Sequence, residues 1–215
     1  METIDYNMIY ALQDRVLENI FSKETTFYLT GGTCLNRFYY NRRYSDDLDL
    51  FTNDNALFRD DVRIVIEGFI SSSLEYIVMV DTRDFVRINI DDQLQVDLVN
   101  DRVYRHGKSV HSPTGVVIDN LLNICANKVC AIIGRDDPKD MFDLYTIFNK
   151  EKLEWDRAIE AAIKKCLIDP EILEYRLSTF PLELLDLLKV EDPALIEEMK
   201  KGYSDMAEFI KRIIP

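Results

Sequence analysis

The sequence predicts an α+β protein, a mixed β-sheet flanked by helices and followed by a C-terminal helical bundle. Three observations carry this. Before Pro113 the apolar residues switch between a period of two and a helical period, whereas after Ile118 nearly everything keeps helical spacing. Asp46 to Phe51 (DDLDLF) alternates acidic and apolar residues, as a strand does when one face is buried and the other is lined by carboxylates. Thr25 to Thr30 (TTFYLT) is β-branched and aromatic and runs straight into Gly31-Gly32, where a strand ends in a tight turn.

The elements follow in order. Ile9, Leu12, Val16, Leu17 and Ile20 recur at helical spacing and predict an amphipathic helix over residues 5–22. After the first strand and its glycine turn, TCLNRFYYNRR sets Leu35, Phe38 and Tyr39 on one helical face, giving strand, turn, helix. The acidic strand comes next, then a helix over 57–70 and strands over 75–80, 85–90 and 93–99, with Asp91-Asp92 as a hairpin turn. A loop spans 102–113. Helices are expected over 120–133, 138–148, 155–166, 170–177, 182–188 and 193–213. Pro138, Pro170 and Pro193 suit first helical turns, with Asp137, Asp169 and Asp192 ahead of them as caps. The boundary expected near Pro113 divides a core of residues 1–113 from a helical region of 114–215 that packs on it and completes the site.

Composition narrows the function classes. The 215 residues include 47% apolar side chains, enough for a real core. No apolar run approaches the roughly 20 residues that cross a bilayer, so no membrane partner is expected. The opening stretch carries acidic residues and lacks a signal peptide's basic head and cleavage site, which points to the cytoplasm. Cysteines 34, 125, 130 and 166 show no CxxC spacing, which argues against structural zinc; Cys34, Cys125 and Cys130 lie in helix-like apolar stretches and read as buried reduced thiols. The net charge of -13 opposes a broad grip on nucleic acid, so any RNA contact must be local. Basic residues gather at Arg37, Arg42 and Arg43 and again at Arg102, Arg105, His106 and Lys108, groupings that a solvated face also explains.

The chemistry centres on carboxylates. Asp47 and Asp49, two apart in a strand, leave the same face about 7 Å apart along the chain and can reach one ion. Paired carboxylates in a half-buried site repel each other unless a cation neutralises them, and Mg²⁺ or Mn²⁺ suits oxygen donors. Asp97 in LQVDLVN lies between inward-facing Val96 and Leu98 and is displayed on the opposite face. If its strand lies beside the other, three carboxylates converge as two-metal phosphoryl transfer requires. Gly31, Gly32 and Thr33 at a strand-to-helix junction offer backbone N–H groups to phosphates, Ser45 adds a hydroxyl, and Lys128 and Arg135 could offset pyrophosphate charge.

The segment GGTCLNRFYYNRRYSDDLDLF resembles the signature of the AbiEii/AbiGii toxin family, within the nucleotidyltransferase superfamily typified by DNA polymerase beta. The match falls on Gly31, Gly32, Thr33, Leu35, Arg43, Ser45, Asp47, Leu48, Asp49, Leu50 and Phe51. NKVCAIIGRDDPKDMFDLY is similar to the family's second region and adds Lys128, Arg135, Asp140 and Asp143. The resemblance covers residues 25–148 and implies an enzyme that moves a nucleoside monophosphate from a bound NTP to RNA, with tRNA 3′ ends the acceptor in some relatives and a cognate antitoxin as partner. It implies Asp47, Asp49 and Asp97 as catalytic metal ligands, Lys128 as catalytic, and Gly31, Gly32, Thr33, Arg43, Ser45, Lys128, Arg135 and Asp140 at the nucleotide, with Asp140 positioning Lys128 or Arg135 or touching the nucleotide. Asp140 and Asp143 also suit a helix N-terminus, worth roughly a few tenths of a kcal/mol each. Competing readings are an NTP-binding regulatory module on the same fold, a transferase with a protein or small-molecule acceptor, a helical interaction protein, and a carboxylate-pair phosphatase or nuclease. The last does not explain the glycine turn or Lys128.

Overall fold

The structure is a computed structural model that describes residues 5–150 and 152–214; the first four residues of the opening stretch lie outside it. The chain divides into two compact units. One comprises residues 5–34, 45–102 and 109–119, the other residues 35–44, 103–108 and 120–214.

The first unit is built on a seven-stranded mixed sheet: β1 (Tyr28–Thr30), β2 (Leu48–Asn53), β3 (Tyr76–Asp81), β4 (Phe85–Ile90), β5 (Leu94–Asp101), β6 (Val110–His111) and β7 (Val117–Ile118). Their spatial order is β3-β4-β5-β2-β1-β7-β6. β2 lies between β5, to which it runs parallel, and β1, to which it runs antiparallel. Alternation turns Leu48, Leu50, Val86, Ile88, Ile90, Leu94, Val96 and Leu98 to one face, where each is fully buried. Helices α1 (Tyr6–Phe21) and α3 (Phe58–Ser71) belong to the same unit. Asp5 caps α1 by accepting the Asn7 N–H at 3.0 Å, and the five residues picked out by helical spacing are all buried. α3 buries Val62, Val65 and Phe69. The other face of the sheet is mixed, carrying Asp49, Asp97 and Arg87 in one row and Phe51, Val99 and Phe85 in the next.

α2 (Gly31–Cys34) begins on the residue after β1 and passes without a break into π-helical turns over Leu35–Tyr40. The wider turns alter the expected phase: Leu35 and Asn36 are buried, while Phe38 and Tyr39 are only half-buried. Asn41, with φ of 50°, ends the segment.

The second unit holds α4 (Leu121–Gly134), α5 (Pro138–Lys150), α6 (Trp155–Cys166), α7 (Pro170–Thr179), a 3₁₀ turn (Leu182–Leu187) where an α-helix was expected, and α8 (Ala194–Ile213). Asp137, Asp169 and Asp192 each accept the N–H two residues ahead at 2.9 Å; this starts α5 and α7 as the Asp-Pro pairs predict, whereas α8 begins one residue later, at Ala194, with Pro193 in the cap position. Phe148, Trp155 and Phe209 cluster with ring centroids 5.4–6.0 Å apart. The Tyr203 hydroxyl donates to the Leu177 carbonyl at 2.8 Å.

The division is more interleaved than a single cut at Pro113. β7 pairs with β1 through Leu29 and Ile118, which keeps residues 109–119 with the sheet. The backbone at 42–44 runs beside 189–191, with Tyr44 N donating to Lys189 O and Glu191 N to Arg42 O, and so joins the helical unit. Asn120 draws in residues 103–108 by donating to His106 O and Lys108 O. The cysteine expectation also changes. Cys130 is not a free thiol but forms a disulfide with Cys166, linking α4 to α6 across a Cα separation of 6.0 Å. Cys34 and Cys125 are the buried free thiols, and burial raises both well above the ordinary thiol range.

Candidate functional site

The mixed face of the sheet carries one polar transverse row. Register makes Arg87 the partner of Asp97, Asp97 the partner of Asp49, and Asp49 the partner of Thr30. Partners on adjacent strands project from the same face. The row therefore reads Arg87, Asp97, Asp49, Thr30 across β4, β5, β2 and β1. It continues to Asp119, fully buried after β7, which accepts the Thr30 hydroxyl at 2.9 Å.

Gly31 makes room for this row. Its φ of 71° is left-handed, and a Cβ built there would collide with the Asp49 carboxylate. The glycine turn and the acidic strand are thus one steric unit. Asp47, half-buried just ahead of β2, presents its carbonyl to the Thr33 hydroxyl. Thr33 Oγ1 is also 2.8 Å from Ser45 Oγ, and Ser45 O accepts the Gln13 amide at 3.0 Å. Thr33 and Ser45, expected at the nucleotide, are buried and fix the approach to β2.

Asp97 is already engaged. Arg87 donates from Nε to one carboxylate oxygen at 2.8 Å and from Nη2 to the other at 2.7 Å, and Gln95 Nε2 lies 3.3 Å from the second. This fork raises the Arg87 pKa further, with Asp49 and Asp47 contributing at longer range, so one guanidinium feels all three carboxylates. Among the described residues no three acidic, His or Cys side chains form a ready metal cage. The donor set nonetheless suits a hard divalent cation: Asp47 and Asp49 are half-buried carboxylates two residues apart, and the missing Cβ at Gly31 is what lets the Asp49 carboxylate sit against the glycine turn.

A second ionic group lies within the helical unit. Arg43 is buried, and its Nε and Nη2 each donate to Asp143 at 2.7 Å while Nη1 donates to Tyr44 O at 2.9 Å. Lys128 Nζ lies 2.8 Å from Asp140 and 2.7 Å from Asp143. Asp140 also accepts from Arg135 Nε at 2.6 Å, so it stands between the two cations. Arg43 and Lys128, expected at the nucleotide, are instead inside the unit and bound to carboxylates. Arg135 is the member of this group that reaches solvent, at 60% exposure.

Burial alone would raise Asp143, but Arg43 and Lys128 outweigh it and hold the carboxyl at about 2. Burial pulls Lys128 down, and Asp143 and Asp140 reverse this to a net rise. Burial likewise raises Asp140, which Lys128 and Arg135 bring below its ordinary value.

Sequence reasoning missed Arg87, Asp119 and Asn36. A two-residue turn at Asp91-Asp92 would set Arg87 against Val96. The observed turn also includes Gln93 and pairs Ile90 with Leu94, which brings Arg87 opposite Asp97. Asn36 accepts the Arg42 and Arg43 N–H groups and donates to Asp143 at 3.1 Å, ordering that loop. Arg102, in the second basic grouping, is tied to Asp54 and Asp84.

Two outcomes follow from this geometry. Gly31→Ala should cost about 2 kcal/mol in urea unfolding, and adding Asp49→Ala should recover part of the loss by clearing the space; no recovery would contradict the contact. Asp143 is more acidic folded than unfolded, so its stabilisation is complete above about pH 4 and drains as pH falls toward about 2, removing about 2–3 kcal/mol. Asp143→Asn should be less stable at neutral pH by about 3–5 kcal/mol and show a flatter dependence across that window. An unchanged slope in denaturation series from pH 5 to pH 2 would contradict the assignment.

A family model described as the nucleotidyl transferase AbiEii toxin of type IV toxin–antitoxin systems matches residues 15–215. The chain has no match among curated proteins. Its fold is similar to that of JHP933 from Helicobacter pylori, with 18% identity and a TM-score of 0.62 over 100% of this chain and 95% of that one. It is also similar to MenT4, a nucleotidyltransferase toxin from Mycobacterium tuberculosis, with 13% identity and a TM-score of 0.60 over 97% of this chain and 87% of that one. No helix among the described residues is long and apolar enough to cross a membrane. The glycine turn, the acidic strand and a family match spanning nearly the whole sequence lead to one conclusion: this chain belongs to the AbiEii family of nucleotidyltransferase toxins of type IV toxin–antitoxin systems.

Proposed function

We propose that the chain transfers a nucleoside monophosphate from an NTP to RNA, with tRNA 3′ ends as the acceptor class, in the cytoplasm and under the control of a cognate antitoxin. The observation that carries the reading is the carboxylate row: Asp49 paired with Asp97, Asp47 two residues ahead, and Gly31 without a Cβ beneath Asp49.

In the reaction an acceptor hydroxyl oxygen bonds to the α-phosphorus as the bond to the pyrophosphate oxygen breaks. The hydroxyl proton passes to solvent water and pyrophosphate carries off the displaced electron pair. Asp47 and Asp49 would hold Mg²⁺ or Mn²⁺, which when bound offsets triphosphate charge and makes the attacking hydroxyl more acidic. Backbone N–H groups of Gly31, Gly32 and Thr33 at the start of α2 are the candidate phosphate donors. Thr33 and Ser45 hold the approach to the acidic strand, so their role is positional. In the helical unit Arg135 is the candidate contact for a phosphate oxygen. Lys128, Asp140, Arg43 and Asp143 order it from below. Because the net charge is -13, RNA contact rests on local cations, with Arg37, Arg42, Arg105, His106 and Lys108 the candidates. The same charge favours one second reading, a protein or small-molecule acceptor.

The test is a transfer assay with each of the four α-labelled NTPs, Mg²⁺ and total tRNA, resolving label on RNA from label on protein. Label on RNA that falls by at least about a hundredfold in Asp49→Ala supports the proposal. Label on protein would replace the acceptor, and full activity in Asp49→Ala would overturn the site.

A further inference from the structure

Asp97 has the position of a metal ligand and the contacts of a salt-bridge partner. Each Asp97 oxygen keeps a further lone pair beside its bond to Arg87, but an ion that uses it must approach against the guanidinium charge and take an oxygen already engaged and oriented by the fork. The pair is weakly screened on the acidic side, where the Asp97 side chain is 10% exposed; Arg87, at 39%, has an open path to solvent. Arg87 also has a seat of its own, its guanidinium carbon lying 5.4 Å from the centroid of the Phe85 ring. Both partners are set by strand register, since β4 and β5 pair Arg87 with Asp97 directly. The fork is therefore built into the sheet.

We infer that Arg87 is a resident counter-cation that holds Asp97 in the absence of metal and competes with a divalent cation for it. The inference rests on the proposed metal reading of Asp47 and Asp49. It makes Arg87 a positioning residue: it acts through Asp97 by deciding whether the third carboxylate is available. Removing the fork frees Asp97 and should strengthen binding of the bare ion. Asp97→Asn, which leaves Arg87 no carboxylate to withhold, should make the state of Arg87 matter little.

The test is a titration of the full chain with Mn²⁺ alone, read by electron paramagnetic resonance of the free ion, with circular dichroism to establish folding. Arg87→Gln should bind Mn²⁺ on the order of tenfold more tightly than the parent chain. Arg87→Lys keeps the charge but loses the fork and should fall between them, which keeps the test open if Arg87→Gln folds poorly. In the Asp97→Asn background the gain from Arg87→Gln should shrink to less than about twofold. Unchanged or weaker affinity in folded Arg87→Gln would overturn the competition. A gain of the same size in the Asp97→Asn background would overturn it too, because Arg87 would then act through its general field. Failure of every variant to bind Mn²⁺ would overturn the metal reading itself, a result distinct from binding that ignores Arg87.

Discussion

The register of β2 against β5 is the constraint on which the sheet's polar row depends. Leu48 and Leu50 on one strand and Val96 and Leu98 on the other are fully buried. Burying four such side chains stabilises by roughly 6–12 kcal/mol. The same pairing puts Asp49 beside Asp97. Repulsion between two such carboxylates costs about 1–4 kcal/mol depending on the effective dielectric. Burial wins, and the acidic groups are brought together as a consequence of apolar packing on the other side of the sheet. A slip of one residue would invert both faces together. Gly31 adds a steric condition at the same point, and Arg87 offsets part of the charge that register concentrates.

The helical unit handles charge differently. Arg43, Lys128, Asp140 and Asp143 are all taken from water, and removing any one leaves an uncompensated charge at a cost of several kcal/mol. Such a group specifies geometry more than it adds stability. Its members come from the loop after the π-helical segment, from α4 and from α5, so it fixes those three pieces to one another. Arg135, at the end of α4, inherits that order through Asp140 while remaining at the surface.

The elements were legible where a single period governed them. The five apolar residues of α1, the alternation in β2 and the Asp-Pro starts of α5 and α7 all appear in the structure as spacing predicts. The glycine turn followed by DDLDLF was legible as a unit because its residues are close in sequence. What stayed hidden depends on long-range pairing. Arg87 reads as one more outward residue in FVRINI until the turn length is known. Asp119 gains a partner only when the short β7 joins β1. The burial of Arg43 could not be read locally, because its carboxylate lies on α5, far along the chain. Cys130 and Cys166 are likewise separated by 36 positions, too far for local apolar character to signal a bond.

The central claim is that the Asp47–Asp49 pair on β2 is the chemical centre. A crystal structure of the chain with Mn²⁺ and a non-hydrolysable NTP tests it most directly, through the anomalous signal of the ion. The account predicts Mn²⁺ on the oxygens of Asp47 and Asp49, with the triphosphate against the backbone of Gly31 and Gly32. Mn²⁺ and triphosphate bound away from β2, with both carboxylates left in solvent, would contradict it.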